Sequence, residues 1–446
     1  MTDPRVKKYS ISAPRYTSYP TVPYWDTDSW NPDLWINAIK EAADNGQQEV
    51  SLYIHLPFCE SLCTYCGCNT RITKNHNVEL PYVEAVLKEW RMYLKYLGKK
   101  LYINDLHLGG GTPTFFDPEN LSFLIKEILR DAVPVKDATF SFEAHPANTT
   151  SAHLEVLYDL GFRRLSLGIQ DFNPVVQRVI NRQQSPEDVL RILRDARRTG
   201  YTSINFDLIY GLPRQTMEGI VDTMQIALDM KPDRIAFYSY AHVPWIKPGQ
   251  RLFTETDLPD EADKLDFYYC GKEMIKAAGY VDIGMDHFAF PTDSLAVSSK
   301  NGGLHRNFMG YTDKQSPLLL GLGVSSISDA QTAFSQNVKT VEEYKSLVEN
   351  NELPLLKGHI LTQEDRSVRK QILDIMCKGE LLLDQQLSAK VLQRLQPFVA
   401  DGMVILEDDK LWVTAIGKSF LRNICMAFDE RLASDKSGKQ LFSKAI

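Results

Sequence analysis

Between about residues 49 and 285 the chain alternates short β-branched or apolar runs with longer stretches of helical periodicity, and it does so six times. The short runs are EVSLYIHL, INDLHLGGG, ATFSFEAHP, RRLSLGIQ, TSINFDLIYG and DRIAFYSY. Between them lie VELPYVEAVLKEWRMYLKYL, PENLSFLIKEILRD, SAHLEVLYDLG, SPEDVLRILRDARRTG and TMEGIVDTMQIALDM. Strands that alternate with helices pair in parallel through right-handed crossovers. Six such units fall short of the eight that close a barrel, so the expected fold is α/β, a partial (β/α)6 TIM-like barrel with an open side. Chemistry in these folds sits at the C-terminal ends of the strands. Those ends hold Cys59 to Cys68, Gly109 to Thr112, Glu143, Gln170, Asp207 and Ala241.

The barrel is expected over 49–290, with other modules on either side. Residues 1–48 read as an N-terminal cap, an aromatic, Pro-rich strip (PRYTSYPTVPYWD) ahead of a short helix. Residues 291–355 read as a substrate-covering connection. Residues 356–446 read as a mainly helical module, in which RSVRKQILDIMCKG and SAKVLQRLQPFVADG lead into MVILEDDKLWVTAIG, two strand-like runs around an acidic turn. Helices followed by a hairpin suggest a winged-helix-like domain. Such a domain can bind DNA, but its charges are mixed and the chain carries a net charge of −7. A structural or substrate-covering role therefore ranks first, and neither nucleic acid nor an anionic membrane is expected as a partner. The first residues lack an apolar signal core and no uncharged apolar run reaches about 18 residues, so a cytoplasmic protein is expected.

Of seven cysteines, four fall within ten positions: Cys59, Cys63, Cys66 and Cys68. Cys270, Cys377 and Cys425 stand alone in helix-like segments and read as buried thiols. The cluster has the spacing Cys-x3-Cys-x2-Cys-x-Cys, just after a strand, and thiolates are the ligands of iron–sulfur clusters. Three of them can hold three irons of a cubane and leave the fourth without a protein ligand. The alternative is structural zinc, which takes four ligands and would have to recruit Cys68 at an awkward one-residue spacing. At the end of the next strand, Gly109, Gly110 and Gly111 let backbone approach a ligand, whereas a plain tight turn accounts for one glycine but poorly for three followed by Thr-Pro-Thr.

The Cys-x3-Cys-x2-Cys loop, with Tyr65 ahead of its last cysteine, resembles the radical S-adenosylmethionine superfamily, whose barrel is also a partial (β/α)6 one. The resemblance implies a [4Fe-4S] cluster on Cys59, Cys63 and Cys66, with S-adenosylmethionine cleaved beside it to a 5′-deoxyadenosyl radical. Carried over residue by residue, it points to Gly110, Gly111 and Thr112 for the methionine amino group. FEAHP with Glu143, LGIQDF with Gln170, NRQQ with Arg182, FDLIYGLP with Asp207 and YSYAHVP with Ala241 resemble the adenosylmethionine-contacting set of the coproporphyrinogen oxidase family. Tyr53, Tyr65 and Ile327 correspond to further members of that set. CGCN, PRYTSYPT and LHRNFMGYT then narrow the likeness to the oxygen-independent coproporphyrinogen III oxidases, because related haem chaperones and methyltransferases typically lack them.

That likeness implies oxidative decarboxylation of two propionates of coproporphyrinogen III to vinyl groups, giving protoporphyrinogen IX. It also implies two adenosylmethionines, a low-potential electron donor such as a flavodoxin or ferredoxin, and a monomer. A substrate with several carboxylates needs fixed cations, because an unpaired buried carboxylate is costly. Arg15 and Arg306 are the candidate propionate ligands, with Tyr16, Tyr19 and Phe308 beside them to pack against pyrrole faces. Cys68 is a candidate catalytic residue, with three readings open: a hydrogen or electron relay, a packing thiol, or a group that tunes the cluster. His55, His107, His145 and His305 lie near motifs, and none is assigned to metal.

Overall fold

A computed structural model describes residues 4–383, 388–437 and 441–444. Six parallel strands carry the barrel: β1 (Glu49–Leu56), β2 (Tyr102–Gly110), β3 (Val133–Ala144), β4 (Phe162–Gln170), β5 (Ser203–Tyr210) and β6 (Arg234–Ser239). Each pairs with the next in parallel, in chain order. The main crossovers are the helices Glu79–Leu97, Pro118–Asp131, Ser151–Asp159, Pro186–Thr199 and Met217–Asp229. Local chemistry sets their ends. Thr150 and Ser185 open two of them as capping boxes, with Pro186 in the first turn of the second, and left-handed Gly200 stops that helix. Leu121, Leu124, Ile125 and Ile128 recur at helical spacing and are fully buried, so one face of Pro118–Asp131 is fixed against the sheet.

The sheet continues past the barrel on both sides. Leu318–Leu322 pairs in parallel with β1, Leu52 opposite Leu320, and Ile327–Asp329, Ala333–Asn337 and Leu355–Ile360 follow it antiparallel. At the other edge His287–Ala289 pairs antiparallel with β6 and with Val281–Gly284, giving twelve strands in all. The segment 291–355, read from sequence as a connection, thus contributes strands to the central sheet. LLLGL is buried at every position, as a parallel strand covered on both faces must be.

One hydrophobic core runs from Trp35, in the helix Pro32–Asn45, through the barrel to Tyr344 and Val348. A second joins Tyr9, Tyr16 and Tyr19 to Ile375, Leu395 and Phe428 of the C-terminal module. That module is the helix Gln363–Lys378, the strand Glu380–Leu382, the helix Ala389–Ala400 and the hairpin Val404–Glu407/Lys410–Val413, whose second strand pairs with Glu380–Leu382. The N-terminal strip is bound to it side chain by side chain. Tyr9 stacks on Phe398 at 5.0 Å, the Tyr16 hydroxyl donates to Asp429 at 3.0 Å, and Arg422 donates to the Pro14 carbonyl at 3.1 Å. Tyr16 and Tyr19, expected beside a pyrrole, are buried in this second core instead. No described helix is long and apolar enough to cross a membrane.

Candidate active site

The cysteine loop leaves β1 and is closed at its base by Phe58–Cys59, which pairs with Arg71–Ile72. Arg71 N donates to Pro57 O at 2.8 Å and Thr73 N to Cys59 O at 2.9 Å. Its outer turn is fastened at separate points. Thr64 N donates to Ile180 O at 3.0 Å and Asn181 Nδ2 to Leu62 O at 2.8 Å. From the chain that follows β6, Gln250 Nε2 donates to Tyr65 O at 3.0 Å and Lys247 Nζ to Cys68 O at 3.0 Å. A loop of this length would otherwise move; these bonds fix where its thiols point.

All of the cysteines are free thiols, and Cys59, Cys63, Cys66 and Cys68 line a cavity of about 830 Å³. Thr112 Oγ1 lies 3.3 Å from Cys59 Sγ, Arg182 Nη1 donates to Cys63 Sγ at 3.7 Å, and Cys68 N donates to Cys66 Sγ at 3.4 Å. Burial pushes the Cys59 thiol up to about 11, while the hydrogen bond with the Cys68 thiol pulls Cys66 down to about 6. Around a single zinc, with Zn–S near 2.3 Å, thiolates sit about 3.8 Å apart. Among the described residues the cysteines do not form a group whose ligand atoms all lie within 4.8 Å of one another.

The glycine run is also tightly packed against its neighbours. A Cβ on Gly110, whose φ is +113°, would lie 2.7 Å from the His55 ring; on Gly111, 2.5 Å from the Pro57 carbonyl oxygen; on Gly109, 2.9 Å from the Tyr53 ring. The glycines let the end of β2 pass directly under the cysteine loop, where Gly111 N donates to Leu56 O and Thr112 N to Phe58 O. The Gly110 amide is likewise engaged, donating to Glu143 Oε2 at 3.1 Å.

Tyr65, Gly110, Gly111 and Thr112 line the cavity with the cysteines, and so do Glu143, Gln170, Arg182 and Asp207. His107 Nε2 sits 3.5 Å from Glu143 Oε1. Burial works against the Glu143 charge, but His107 and the Gly110 amide outweigh it and hold the carboxyl below its usual range. Asp207 accepts from Ser166 Oγ at 2.8 Å and Asn205 Nδ2 at 2.9 Å, yet burial lifts it to about 6. Gln170 ends β4 in the left-handed region (φ +63°), a conformation costly for a residue with a side chain. Its Oε1 and the Nε of Arg182 are buried without a hydrogen-bond partner among the described residues. Arg182 is otherwise anchored, Nη2 donating to Gly168 O at 2.7 Å.

Tyr53, Ala241 and Ile327 stand behind this lining. The Tyr53 hydroxyl is 3.1 Å from His55 Nδ1 and its ring stacks on His107. Ala241 O accepts from Gln250 Nε2 at 3.2 Å, beside Tyr65, and Ile327 packs with Trp25 and Phe334. Arg15 and Arg306, 291 residues apart in sequence, come together: Arg306 Nη2 donates to Arg15 O at 3.3 Å. Each lies over a cavity-lining tyrosine, Arg306 at 4.7 Å from the Tyr311 ring and Arg15 at 5.8 Å from that of Tyr238. Arg306 is only 5% exposed, and its Nε and Nη1 have no partner among the described residues. Phe308 packs edge-on against Trp25 and Phe334.

Sequence reading missed His287, which lines the cavity with its Nδ1 unpartnered among the described residues and its Nε2 3.3 Å from the Tyr238 hydroxyl. It sits on a three-residue strand with no motif around it. It also missed Lys247 and Gln250, whose only signal was a Lys-Pro-Gly-Gln turn after the sixth strand.

Residues 53–227 match the family model described as the radical SAM superfamily. The chain is 38% identical over 451 residues to the oxygen-independent coproporphyrinogen III oxidase of Escherichia coli strain K12, covering 99% of this chain and 97% of that one. It is 36% identical over 453 residues to the enzyme of the same description from Pseudomonas aeruginosa, covering 99% and 98%. Among solved structures it is similar to the coproporphyrinogen III oxidase from Escherichia coli described as a radical SAM enzyme, with a TM-score of 0.90, 36% identity and 97% and 99% of the two chains covered.

Proposed function

The chain belongs to the oxygen-independent coproporphyrinogen III oxidases, radical SAM enzymes, and on that premise we propose how its own residues divide the reaction between them. The activity is the oxidative decarboxylation of two propionates of coproporphyrinogen III to vinyl groups, giving protoporphyrinogen IX in haem biosynthesis. The cofactors are a [4Fe-4S] cluster and S-adenosylmethionine. The observation that carries the assignment is the set of three free thiols presented by one tethered loop to a cavity whose wall holds unpartnered buried polar atoms.

In this reading Cys59, Cys63 and Cys66 hold the cluster, with Thr112 and Arg182 against their sulfurs. Together the cluster and adenosylmethionine supply a one-electron route to hydrogen abstraction at a propionate β-carbon. Glu143, held ionised beside the Gly110 amide, accepts from an ammonium group, while Gln170 Oε1 and Asp207 accept from hydroxyls and Arg182 Nε donates. Acceptors in two places, Glu143 beside Tyr53 and the Gln170–Arg182–Asp207 group, support two adenosylmethionines. Tyr65 completes the wall around them, with Ala241 and Ile327 behind it. Arg15 and Arg306 bind propionates, and Cys68, which lines the cavity, serves as a relay. The enzyme works as a monomer in the cytoplasm, since one chain supplies every group named, and takes its electrons from a flavodoxin or ferredoxin.

The test is anaerobic reconstitution with iron and sulfide, followed by dithionite and adenosylmethionine with and without coproporphyrinogen III. Expected are 5′-deoxyadenosine and, with substrate, loss of carbon dioxide; Cys63→Ala loses iron, acid-labile sulfide and deoxyadenosine together. Stoichiometric zinc without iron in the wild-type protein would overturn the cluster assignment. Deoxyadenosine without decarboxylation, with a one-electron acceptor added to take the electron released with carbon dioxide, would overturn the substrate.

A further inference from the structure

The chain that follows β6 is mounted on the back of the cysteine loop. Ile246 N and Lys247 N both donate to Val243 O, forming a tight turn, and the short helix Pro248–Leu252 follows. Gln250, only 1% exposed, reaches Tyr65 O with its Nε2 and accepts from Val243 N at 2.6 Å. A Cβ on Gly249 would touch Leu62 Cδ2 at 3.5 Å. The segment is therefore an outer layer fastened to the backbone of the loop at Tyr65 and Cys68.

Its outward side chains are apolar. Leu252 is 76% exposed, the most exposed large apolar side chain among the described residues, with Ile246 at 59%, Trp245 at 46% and neighbouring Leu62 at 42%. Apolar side chains gathered in this way mark an interaction site. The edge of the patch holds two cations, Lys247 and Arg251, in a chain of net charge −7, with exposed Glu60 and Glu255 farther along the same two segments. Lys247 donates to Cys68 O and Arg251 to Pro244 O, both backbone carbonyls, and among the described residues neither is paired with a carboxylate. An aromatic and aliphatic centre with cations at its rim fits a protein partner of opposite charge.

We propose that Leu62, Trp245, Ile246 and Leu252, rimmed by Lys247 and Arg251, form the docking face for an acidic one-electron carrier protein. The inference rests on the reading above, in which the group held by Cys59, Cys63 and Cys66 receives one electron from outside. One electron leaves the carrier's reduced cofactor, which is oxidised by that amount, and no bond is made or broken between the proteins. Electron-transfer encounters are typically small, burying less than about 1,200 Å², and depend on charge, which matches a compact patch of this composition.

The test measures binding of oxidised flavodoxin to the full chain by calorimetry, for wild type and for a variant carrying Ile246→Glu, Arg251→Glu and Leu252→Glu. Wild type is expected to bind, on the order of tenfold more weakly when salt is raised from about 50 to about 300 mM, and the variant to bind at least about tenfold more weakly at low salt. Deoxyadenosine yields with dithionite are expected to be equal, while yields with reduced flavodoxin fall in the variant. Arg251→Gln alone, which disturbs no apolar contact, is expected to lose a few-fold in affinity and part of the salt dependence. Equal binding by wild type and variants would overturn the proposal, as would no binding by wild type. So would self-association that the substitutions abolish, since the face would then belong to a second copy. A wild type that binds flavodoxin by this face yet makes no deoxyadenosine with dithionite would sink the assigned chemistry and leave the docking face standing.

Discussion

The wall of the cavity built from barrel strand ends and the cover built from the N-terminal strip and the hairpin His305–Asn307/Gly310–Thr312 differ in the sign of what they offer. Along the barrel stand acceptors: the carboxylates of Glu143 and Asp207 and the unpartnered Oε1 of Gln170. On the cover stand cations, each over a cavity-lining tyrosine: Arg15, 3.9 Å from Asp286, and the nearly buried Arg306, two of whose nitrogens have no partner among the described residues. The arginines that line the barrel side are already engaged: Arg164 and Arg234 pair with Asp313 and Asp293, and Arg182 faces thiols. Adenosylmethionine brings an ammonium, a sulfonium and ribose hydroxyls, so it is matched by acceptors; a tetracarboxylate is matched by cations. On the reading proposed above, one cavity would keep the two ligands apart without a partition, each matched to one side.

The largest effect expected from this division is at Arg306. Hydrogen bonds to charged groups contribute about 1.5–3 kcal/mol, so Arg306→Met should raise the KM for coproporphyrinogen by about 10- to 100-fold. Deoxyadenosine formed without substrate should be unchanged. The substitution fills the volume and removes a buried guanidinium, two of whose nitrogens have no partner among the described residues, so the thermal midpoint should hold or rise. A smaller effect, about tenfold, is expected at Glu143. Glu143→Gln should weaken adenosylmethionine binding, measured by equilibrium dialysis on the reconstituted protein, and leave the KM for coproporphyrinogen where it was. If the two substitutions each disturbed the other ligand, the walls would not be specialised in this way.

Sequence periodicity made the barrel wall legible and left the cover mostly hidden, and the reason is the range of the interactions. The period-two and 3.6-residue patterns of β1 to β6 and their crossovers are local, and each motif falls at a strand end that the pattern already locates. Leu318–Leu322 follows no such repeat. Its four leucines and a glycine become a parallel strand only because β1 offers a free edge far earlier in the chain, Leu52 lying opposite Leu320. Tyr16 and Tyr19 look like ligand-facing aromatics in PRYTSYP until the C-terminal module buries them. The arginines were legible as cations, whereas the burial that leaves Arg306 short of partners depends on Arg15 and Tyr311 arriving from elsewhere.

Asp207 gives the smallest effect and the sharpest test of the acceptor wall, because two measurements on it must move in opposite directions. Burial raises its carboxyl from 3.8 to about 6 in the folded protein, and the hydrogen bonds from Ser166 and Asn205 offset only part of that. Above about 6 it is an acceptor; as pH falls through that value it gains a proton and meets incoming hydroxyls as a competing donor. Adenosylmethionine affinity should therefore fall a few-fold, roughly three to ten, between about pH 7 and pH 5. Stability runs the other way. A carboxyl whose pKa is higher folded than unfolded binds its proton more tightly in the native state, so its contribution grows as pH drops from about 6 toward 4 and is lost as pH rises through 6. Asp207→Asn should remove both slopes, giving weak adenosylmethionine binding at every pH and a thermal midpoint without that rise. If the asparagine variant kept the binding slope, the titrating acceptor would be another group, and Asp207 would belong to the frame of the barrel and not to its ligand face.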